Sequence, residues 1–331
     1  MIEDSSQVFL DDHKMKIPAS FDHLSTLLKN QFDIQVNQEA LRKNKHLKTV
    51  RSYYSNDNKT LYLNPQLSVE QARFAVAKEL GYQFLNLTER SFETNLNKEA
   101  SFEKLLNNFK ASYFAAALLL PANGFIDDLK SLALETKWNP KLISSLLSKY
   151  QVTAETLLQR MTNLLPKYFG IDNLFFIRLD GRGSMVDYQI TKELHLSGLH
   201  NPYQNQLREH LCQRWVSISS IKSLQGNDLD HQIDAQISEY WQTDKSYFCI
   251  SIAQPNRFDN KNGSSVTIGL AMNESLRGAF NFIKDPDLRQ KVVHTTCERC
   301  SISDCEHRVA TPTFVKRQTQ QSELEEALKK L

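Results

Sequence analysis

Three of the five cysteines lie close together near the end of the chain, in a Cys-x2-Cys-x4-Cys spacing over residues 297–305. Two thiolates three residues apart can bind one metal through a tight turn, and a third can return from a short loop. The centre would be an iron–sulfur cluster held by four thiolates, or zinc held by four Cys or by three Cys and one His. The fourth ligand must come from elsewhere, and the candidates are Cys212, Cys249 and His307.

Two alternatives apply to these thiols. Three unligated cysteines in a polar loop would be prone to oxidation, so we favour a metal centre over free thiols. Cys249 stands in an apolar stretch that reads as a strand, where a free cysteine behaves as a small hydrophobic residue. We therefore expect Cys249 to be buried and not to bind the metal.

Composition narrows the class of protein. The chain has 331 residues, with 40 Lys and Arg against 38 Asp and Glu, so the net charge is +2 and a globally basic nucleic-acid coat is excluded. An odd number of cysteines without a signal peptide argues against a disulfide framework. No apolar run approaches the ~20 residues needed to cross a bilayer. These features predict a soluble, cytoplasmic protein.

The pattern along the chain predicts an α+β protein of two domains. Residues 1–20 read as a flexible leader, and residues 21–165 as a helical domain that includes a hairpin. Strand patterns separated by turns follow Pro166, so residues 166–315 are expected to form an α+β domain with an antiparallel sheet. Residues 316–331 read as a charged helical tail.

Two short helical segments, 142–150 and 153–164, are separated by a polar turn, as in a helix-turn-helix. The second segment carries one Arg and no Lys, which is a poor start for phosphate contacts. We therefore favour an ordinary pair of packed helices.

A second group of residues with chemical interest lies on the predicted helix 68–85. Zinc peptidases place two histidines at i and i+4 on one helix face, with a glutamate beside the first as general base. The corresponding positions here are Lys78, Glu79 and Tyr82. Lysine is a cation and suits a zinc site poorly. We expect Glu79 to be a carboxylate at the surface or beside the former site, and no peptidase activity.

This helix resembles that of ImmA/IrrE-type metallopeptidases, and residues 111–121 resemble that family's second conserved helix. In the family, an acidic third ligand stands shortly before this second segment. Asn108 and Lys110 occupy that stretch here. The resemblance implies a zincin-like fold whose zinc motif is degenerate.

The segments 207–218 and 295–312 are similar to the C-terminal domain of the short-chain fatty acyl transcriptional regulators. Members of that family carry a C-x-x-W element, matched here by Cys212 and Trp215. A C-x-x-C-x4-C element follows near the C-terminus, matched by Cys297, Cys300 and Cys305. The resemblance implies a [4Fe–4S] cluster held by Cys212, Cys297, Cys300 and Cys305.

The same resemblance implies that the chain senses CoA or a short-chain acyl-CoA, and a homodimer is one expected assembly. DNA would be contacted only through an N-terminal helix-turn-helix domain, which this sequence does not show. For the phosphates of CoA, the candidate cations are Arg178, Arg182 and Arg214, and none is favoured. Two other functions stay open: a zinc-stapled interaction module, and, less favoured, a metallopeptidase that cleaves a repressor.

Overall fold

The computed structural model describes residues 2–90, 101–181, 187–195, 209–225, 230–255 and 263–329. The chain divides into two compact units. The first comprises Met1–Lys130 with Leu142–Met161, and the second comprises Ser131–Lys141 with Thr162–Leu331. The sequence predicts one domain boundary, between residues 165 and 166. In the structure this boundary lies between Met161 and Thr162, and the segment Ser131–Lys141 also belongs to the second unit.

The helices in the first half of the chain are α1 (Ile2–Asp12), α2 (Phe21–Phe32), α3 (Val69–Phe84), α4 (Phe102–Leu119), α5 (Ala122–Leu134), α6 (Pro140–Tyr150) and α7 (Ala154–Phe169). Helix α3 starts with a capping box, in which Ser68 accepts from the Gln71 backbone N–H and the Gln71 side chain accepts from the Ser68 N–H. Gly81 lets α3 approach α4, because a Cβ at this position would lie 2.9 Å from the Phe114 ring.

The expectation of a flexible leader is corrected by α1. Phe9 is fully buried and packs edge-on against Phe84 and Phe114, with ring centroids 5.1 and 5.7 Å away. Glu3 accepts two hydrogen bonds from Arg160, a residue that is itself fully buried. The sequence pattern of residues 1–20 does not indicate this helix, because the helix is stabilised by residues that are distant in sequence.

A small sheet completes the first unit. Its strands are β1 (Gln35–Asn37), β2 (Ser52–Ser55) and β3 (Thr60–Leu63), in the order β1-β3-β2. Strands β2 and β3 form the antiparallel hairpin that the sequence predicts, while β1 joins β3 in parallel.

The second unit contains a larger sheet, in the order β5-β4-β8-β7-β6-β9. Its strands are β4 (Leu174–Gly181), β5 (Tyr188–His195), β6 (Gln232–Tyr240), β7 (Ser246–Gln254), β8 (Ser264–Ala271) and β9 (Gln290–Val293). The pairs are antiparallel except β6–β9, which is parallel, so the expected antiparallel sheet is mixed at one edge.

The second unit also contains α8 (Val216–Gln225) between β5 and β6, α9 (Glu274–Ala279) between β8 and β9, and α10 (Thr313–Leu328) after β9. Helix α8 packs on one sheet face, and the core there includes Ile177, Leu179, Trp215, Ile218 and Ala253. Helix α10 has no buried residue, in keeping with the charged tail that the sequence predicts.

Over the described ranges, no single helix combines the length and apolarity needed to span a membrane. The pair α4 and α5, bent by 70° at their junction, meets that test only jointly, by length and composition.

Candidate functional site

The degenerate peptidase motif lies where the sequence places it, on α3. The Lys78 ammonium donates a hydrogen bond to the Asn108 Oδ1 at 2.5 Å, so the positions of a first and a third zinc ligand do converge between α3 and α4. Burial raises the pKa of Tyr82 to about 12, which keeps its phenol protonated and unsuited to metal binding. Lys110 is also on α4 and is partly exposed.

Glu79 is buried rather than at the surface, and Arg90 explains how. The Arg90 guanidinium donates two hydrogen bonds to the Glu79 carboxylate, at 2.6 and 2.9 Å, and Gln83 donates a third at 2.7 Å. The guanidinium also lies against the rings of Tyr54 and Tyr82, at 4.3 and 4.4 Å from their centroids. The carboxylate that would serve as general base is thus neutralised by an arginine.

The cysteine motif of the second unit is built by pairing two distant segments. Cys212 donates its backbone N–H to the Thr295 carbonyl at 3.1 Å, and Cys297 donates its own to the His210 carbonyl at 2.9 Å, around an antiparallel bridge between Leu211 and Thr296. The His294 N–H points at the Cys212 sulfur, 3.4 Å away and 82 residues apart in sequence. The structure therefore brings Cys212 to the C-terminal cysteines, as the sequence predicts.

Arg308 shapes the loop that carries the remaining cysteines. Its guanidinium donates to the carbonyls of Cys297 at 2.9 Å, Cys300 at 3.1 Å and Ile302 at 2.5 Å, and its N–H donates to the Cys305 carbonyl at 3.0 Å. One side chain thus supplies hydrogen-bond donors to several loop carbonyls at once. These bonds fix the backbone of the loop, which has no regular secondary structure. Cys212, Cys297 and Cys300 are buried, and Cys305 is partly exposed.

Burial opposes the ionisation of two of these thiols, Cys212 and Cys297. Burial raises the pKa of Cys212 to about 11, and Cys297 and Cys300 act in the same direction, while the N–H groups of His294 and Arg214 oppose it. Burial also raises the pKa of Cys297, against the N–H groups of Val309 and Ala310. Ionising these thiols therefore requires a compensating cation, which is the condition under which thiolates bind metals.

The other two candidate ligands are His307 and Cys249. His307 is exposed on the loop. Cys249 is buried in β7, where the sequence predicts it, and burial raises its pKa to about 12. Within the ranges that the structure covers, no three His, Cys, Asp or Glu side chains form a group that could hold a metal ion.

A cavity of about 320 Å³ opens beside the cysteine motif, on the α8 face of the large sheet. The cavity extends across the strands from β4 to β6 and is closed on its other sides by Trp215, His294, Thr295, Arg299 and Phe314. The residues His294, Thr295 and Arg299 belong to the same chain segment as Cys297 and Cys300. Cavity and cysteines therefore share a wall.

The exposed wall area of this cavity is mainly apolar, although polar and charged side chains, among them Lys245 and Arg299, also line it. Phe175 lies flat over Gly269, where a Cβ would come within 2.2 Å of the ring. Cys249 and Thr267 also line the cavity, and the buried Thr267 hydroxyl has no hydrogen-bond partner among the described residues. A ligand that is largely apolar, with a polar atom facing Thr267, would suit this lining.

Trp215 contacts both the cysteine motif and the cavity. Its indole N–H donates to the His294 carbonyl at 2.8 Å, and its backbone N–H donates to the Cys212 carbonyl at 3.1 Å. The ring is 5% exposed and lines the cavity. Trp215 therefore packs beside Cys212 and borders the cavity.

Arg299 forms an ion pair with Glu209 and stacks on an aromatic ring. It donates to the Glu209 carboxylate at 2.7 and 2.9 Å and stacks on Phe314, 4.6 Å from the ring centroid. Among the other arginines, Arg178 pairs with Asp180, while Arg182 lies outside the described residues.

Comparison with known proteins finds a family match for one domain and a solved structure with the same fold. Residues 30–162 match the Peptidase_M78 family, described as the IrrE N-terminal-like domain. The HTH-type transcriptional regulator RamB of Mycobacterium tuberculosis, found in two strains, is 29% identical over 151 residues. That match covers 45% of this chain and 30% of RamB, so the chain spans less than a third of its curated relative.

A solved structure described as a Mycobacterium tuberculosis transcriptional regulator has the same fold. The TM-score is 0.63 at 17% identity, over 93% of this chain and 88% of the other. The matched part is long enough to include residues of both units. Residues 30–162 are an ImmA/IrrE-type domain, in a chain that is homologous to the transcriptional regulator RamB.

Proposed function

We propose that this chain is the effector-sensing region of a transcription regulator of short-chain fatty acid or acyl-CoA metabolism. Its homology to RamB supports a regulatory role. The observation that carries the finer proposal is the antiparallel pairing of residues 210–212 with 295–297, which sets Cys212 beside the terminal cysteines and forms one wall of the cavity.

A [4Fe–4S] cluster held by Cys212, Cys297, Cys300 and Cys305 fits the donor set. Three of these thiols are buried, and backbone N–H groups point at the sulfurs of Cys212 and Cys297. Such contacts stabilise thiolate sulfur and tune the potential of a cluster. When bound, the cluster would supply a redox-sensitive centre, and all four thiols would have to close around it.

The effector fits the cavity by shape and chemistry. Its aromatic walls suit a short acyl chain, and the Thr267 hydroxyl is placed to bond a carbonyl oxygen. Because the cavity and the cysteines share residues 294–299, the occupancy of one should change the stability of the other. Ligand binding here would shift the balance between two arrangements of the regulator.

We do not propose peptidase activity, because Lys78 and Tyr82 replace the histidines and Arg90 neutralises Glu79. Zinc bound at α3, or a proteolytic activity that is lost in Glu79→Gln, would contradict this.

The metal assignment is tested on protein purified without oxygen, by measuring iron, acid-labile sulfide and zinc per chain. We expect about four irons, because the four thiolates suit a four-iron cluster. Cys300→Ser should lose the iron and lower the unfolding temperature of the second unit, since the free energy of metal binding adds to that of folding. Cys249→Ser is the matched control and should keep its iron.

The outcomes separate the alternatives. One zinc per chain and no iron would support the zinc-stapled interaction module. Unchanged iron in Cys300→Ser would contradict the ligand assignment, and loss of iron in Cys249→Ser would make Cys249 the fourth ligand. For the effector, a thermal-shift series of acyl-CoA esters should raise the unfolding temperature, and the shift should fall as the acyl chain outgrows the cavity.

A further inference from the structure

Three cations are clustered at the β9 edge of the large sheet. Ser238 of β6 pairs with Lys291 of β9 in parallel register, and residues two apart on a strand face the same side, so Arg289 and Lys291 both lie on the face that bears the cavity. Arg214 approaches the same edge from the segment before α8, where its carbonyl accepts a hydrogen bond from the Gln236 side chain at 3.2 Å.

The positive charge of this cluster is poorly balanced. Asp234 is the one carboxylate that the described part of the chain places within ion-pair distance, and it lies 3.7 Å from Arg289, too far for a hydrogen bond. The Nε of Arg214 and the Nε and Nη2 of Arg289 are buried and have no hydrogen-bond partner in that same part. Burial lowers the pKa of Lys291, and the neighbouring Arg289 and Arg214 lower it further, while Asp234 and Cys212 oppose the shift.

Such an arrangement is costly for folding alone. Buried guanidinium N–H groups without an acceptor lose their hydration without compensation, and like charges repel. A bound anion would remove both costs, because an arginine fork bonds phosphate oxygens through two parallel N–H groups and a lysine adds a point charge.

The position of the cluster indicates which anion. Arg214 directly precedes Trp215, and Lys291 pairs with Ser238, and both Trp215 and Ser238 line the cavity. A ligand whose apolar end occupies the cavity can therefore reach these cations with its other end. We propose that Arg214, Arg289 and Lys291 form a phosphate-binding site that holds the phosphate groups of the effector. This assignment rests on the proposed effector function of the cavity.

The test uses the full chain, purified without oxygen, and compares Arg289→Gln/Lys291→Gln with the control Arg277→Gln/Lys284→Gln. The control makes the same change in net charge at two exposed positions of the second unit. Calorimetric titrations with coenzyme A, with inorganic pyrophosphate and with S-acetylpantetheine, which lacks phosphates, measure affinity. Iron content and the unfolding temperature are recorded for each variant.

We expect the affinity for coenzyme A and for pyrophosphate to fall about tenfold or more in Arg289→Gln/Lys291→Gln, because two charge-assisted contacts are lost. The affinity for S-acetylpantetheine should not change, nor should any affinity of the control. The salt dependence of coenzyme A binding should also weaken.

Each other result has a definite meaning. Pyrophosphate binding that the double variant abolishes, without any binding of coenzyme A or S-acetylpantetheine, would support the phosphate site and overturn the proposed effector. Equal affinities in wild type and double variant, or no binding of pyrophosphate and coenzyme A at all, would overturn the phosphate site. Loss of iron with unchanged phosphate affinity would overturn it too, and would mean that the cations compensate the cysteine thiolates.

Discussion

In the first unit, the buried carboxylate of Glu79 finds its counter-charge within the chain, in an arginine held between two tyrosine rings. In the second unit, the buried thiols of Cys212 and Cys297 have raised pKa values, and buried guanidinium nitrogens of Arg214 and Arg289 have no acceptor in the described residues. The first arrangement is electrostatically complete. In the second, the charges would be balanced by the metal centre and the anion that we propose to bind there.

The largest effect is expected when the ion pair between Arg90 and Glu79 in the first unit is broken. Arg90→Ala leaves the Glu79 carboxylate buried without its partner, so we expect a loss of about 3–5 kcal/mol in the free energy of unfolding. Urea denaturation measures it. Glu79→Gln in the same background should recover part of the loss, because the buried charge is then gone.

An exposed pair serves as the control for that variant. Lys59→Ala removes an ion pair with Asp33 whose side chains are 55% and 85% exposed, and it should cost at most about 1 kcal/mol. If Arg90→Ala costs no more than Lys59→Ala, the first unit does not depend on its internal counter-charge and the contrast between the two units fails.

A smaller effect tests the second unit through pH. The folded pKa of Cys249 is about 12, above the ordinary 9.0, so its protonated thiol contributes stability that is complete below pH 9.0 and is lost as the pH rises toward 12. In that window the native state binds one more proton at this thiol than the unfolded state does. The free energy of unfolding should therefore fall by about 1.4 kcal/mol per pH unit from this residue.

Cys249→Ser removes the titrating group and isolates its contribution. Chemical denaturation from pH 9 to 11 should show a slope against pH that is less negative than in wild type by about that amount. The absolute stability of the variant is not the readout, since the substitution also changes packing. Equal slopes would show that Cys249 is not protected from ionisation by the sheet.

The smallest effect concerns the helix that carries the degenerate motif. Ser68→Ala removes the cap of α3 and should cost about 1 kcal/mol, whereas Ser68→Asp should retain most of the stability. Thermal unfolding of both variants checks this. A cost as large as that of Arg90→Ala would mean that the cap, and not the internal ion pair, dominates the first unit.

Local signals made much of this fold predictable. The helix that begins after Ser68, a hairpin in the first domain and strands after Pro166 are all found as the sequence indicates. The pairing of Cys212 with the terminal cysteines was predictable only through resemblance, because no local pattern links segments 82 residues apart.

Other features depend on contacts that sequence patterns do not carry. Arg90 follows the end of α3 without any periodic context, and its role arises from Tyr54, Glu79 and Tyr82 meeting in space. Helix α1 is stabilised by distant partners, and the parallel strand β9 has only four residues. The cavity and the cation cluster arise from strand order, which becomes evident only in three dimensions.

The Arg308 guanidinium donates hydrogen bonds to three carbonyls of the cysteine loop, and this has a consequence for biosynthesis. This residue is translated after every cysteine of the chain, so the loop cannot take its final form on the ribosome until residue 308 has emerged. A metal centre bound by these cysteines, as we propose, would therefore have to be delivered after residue 308 has emerged, when the strands that precede the loop have already been made.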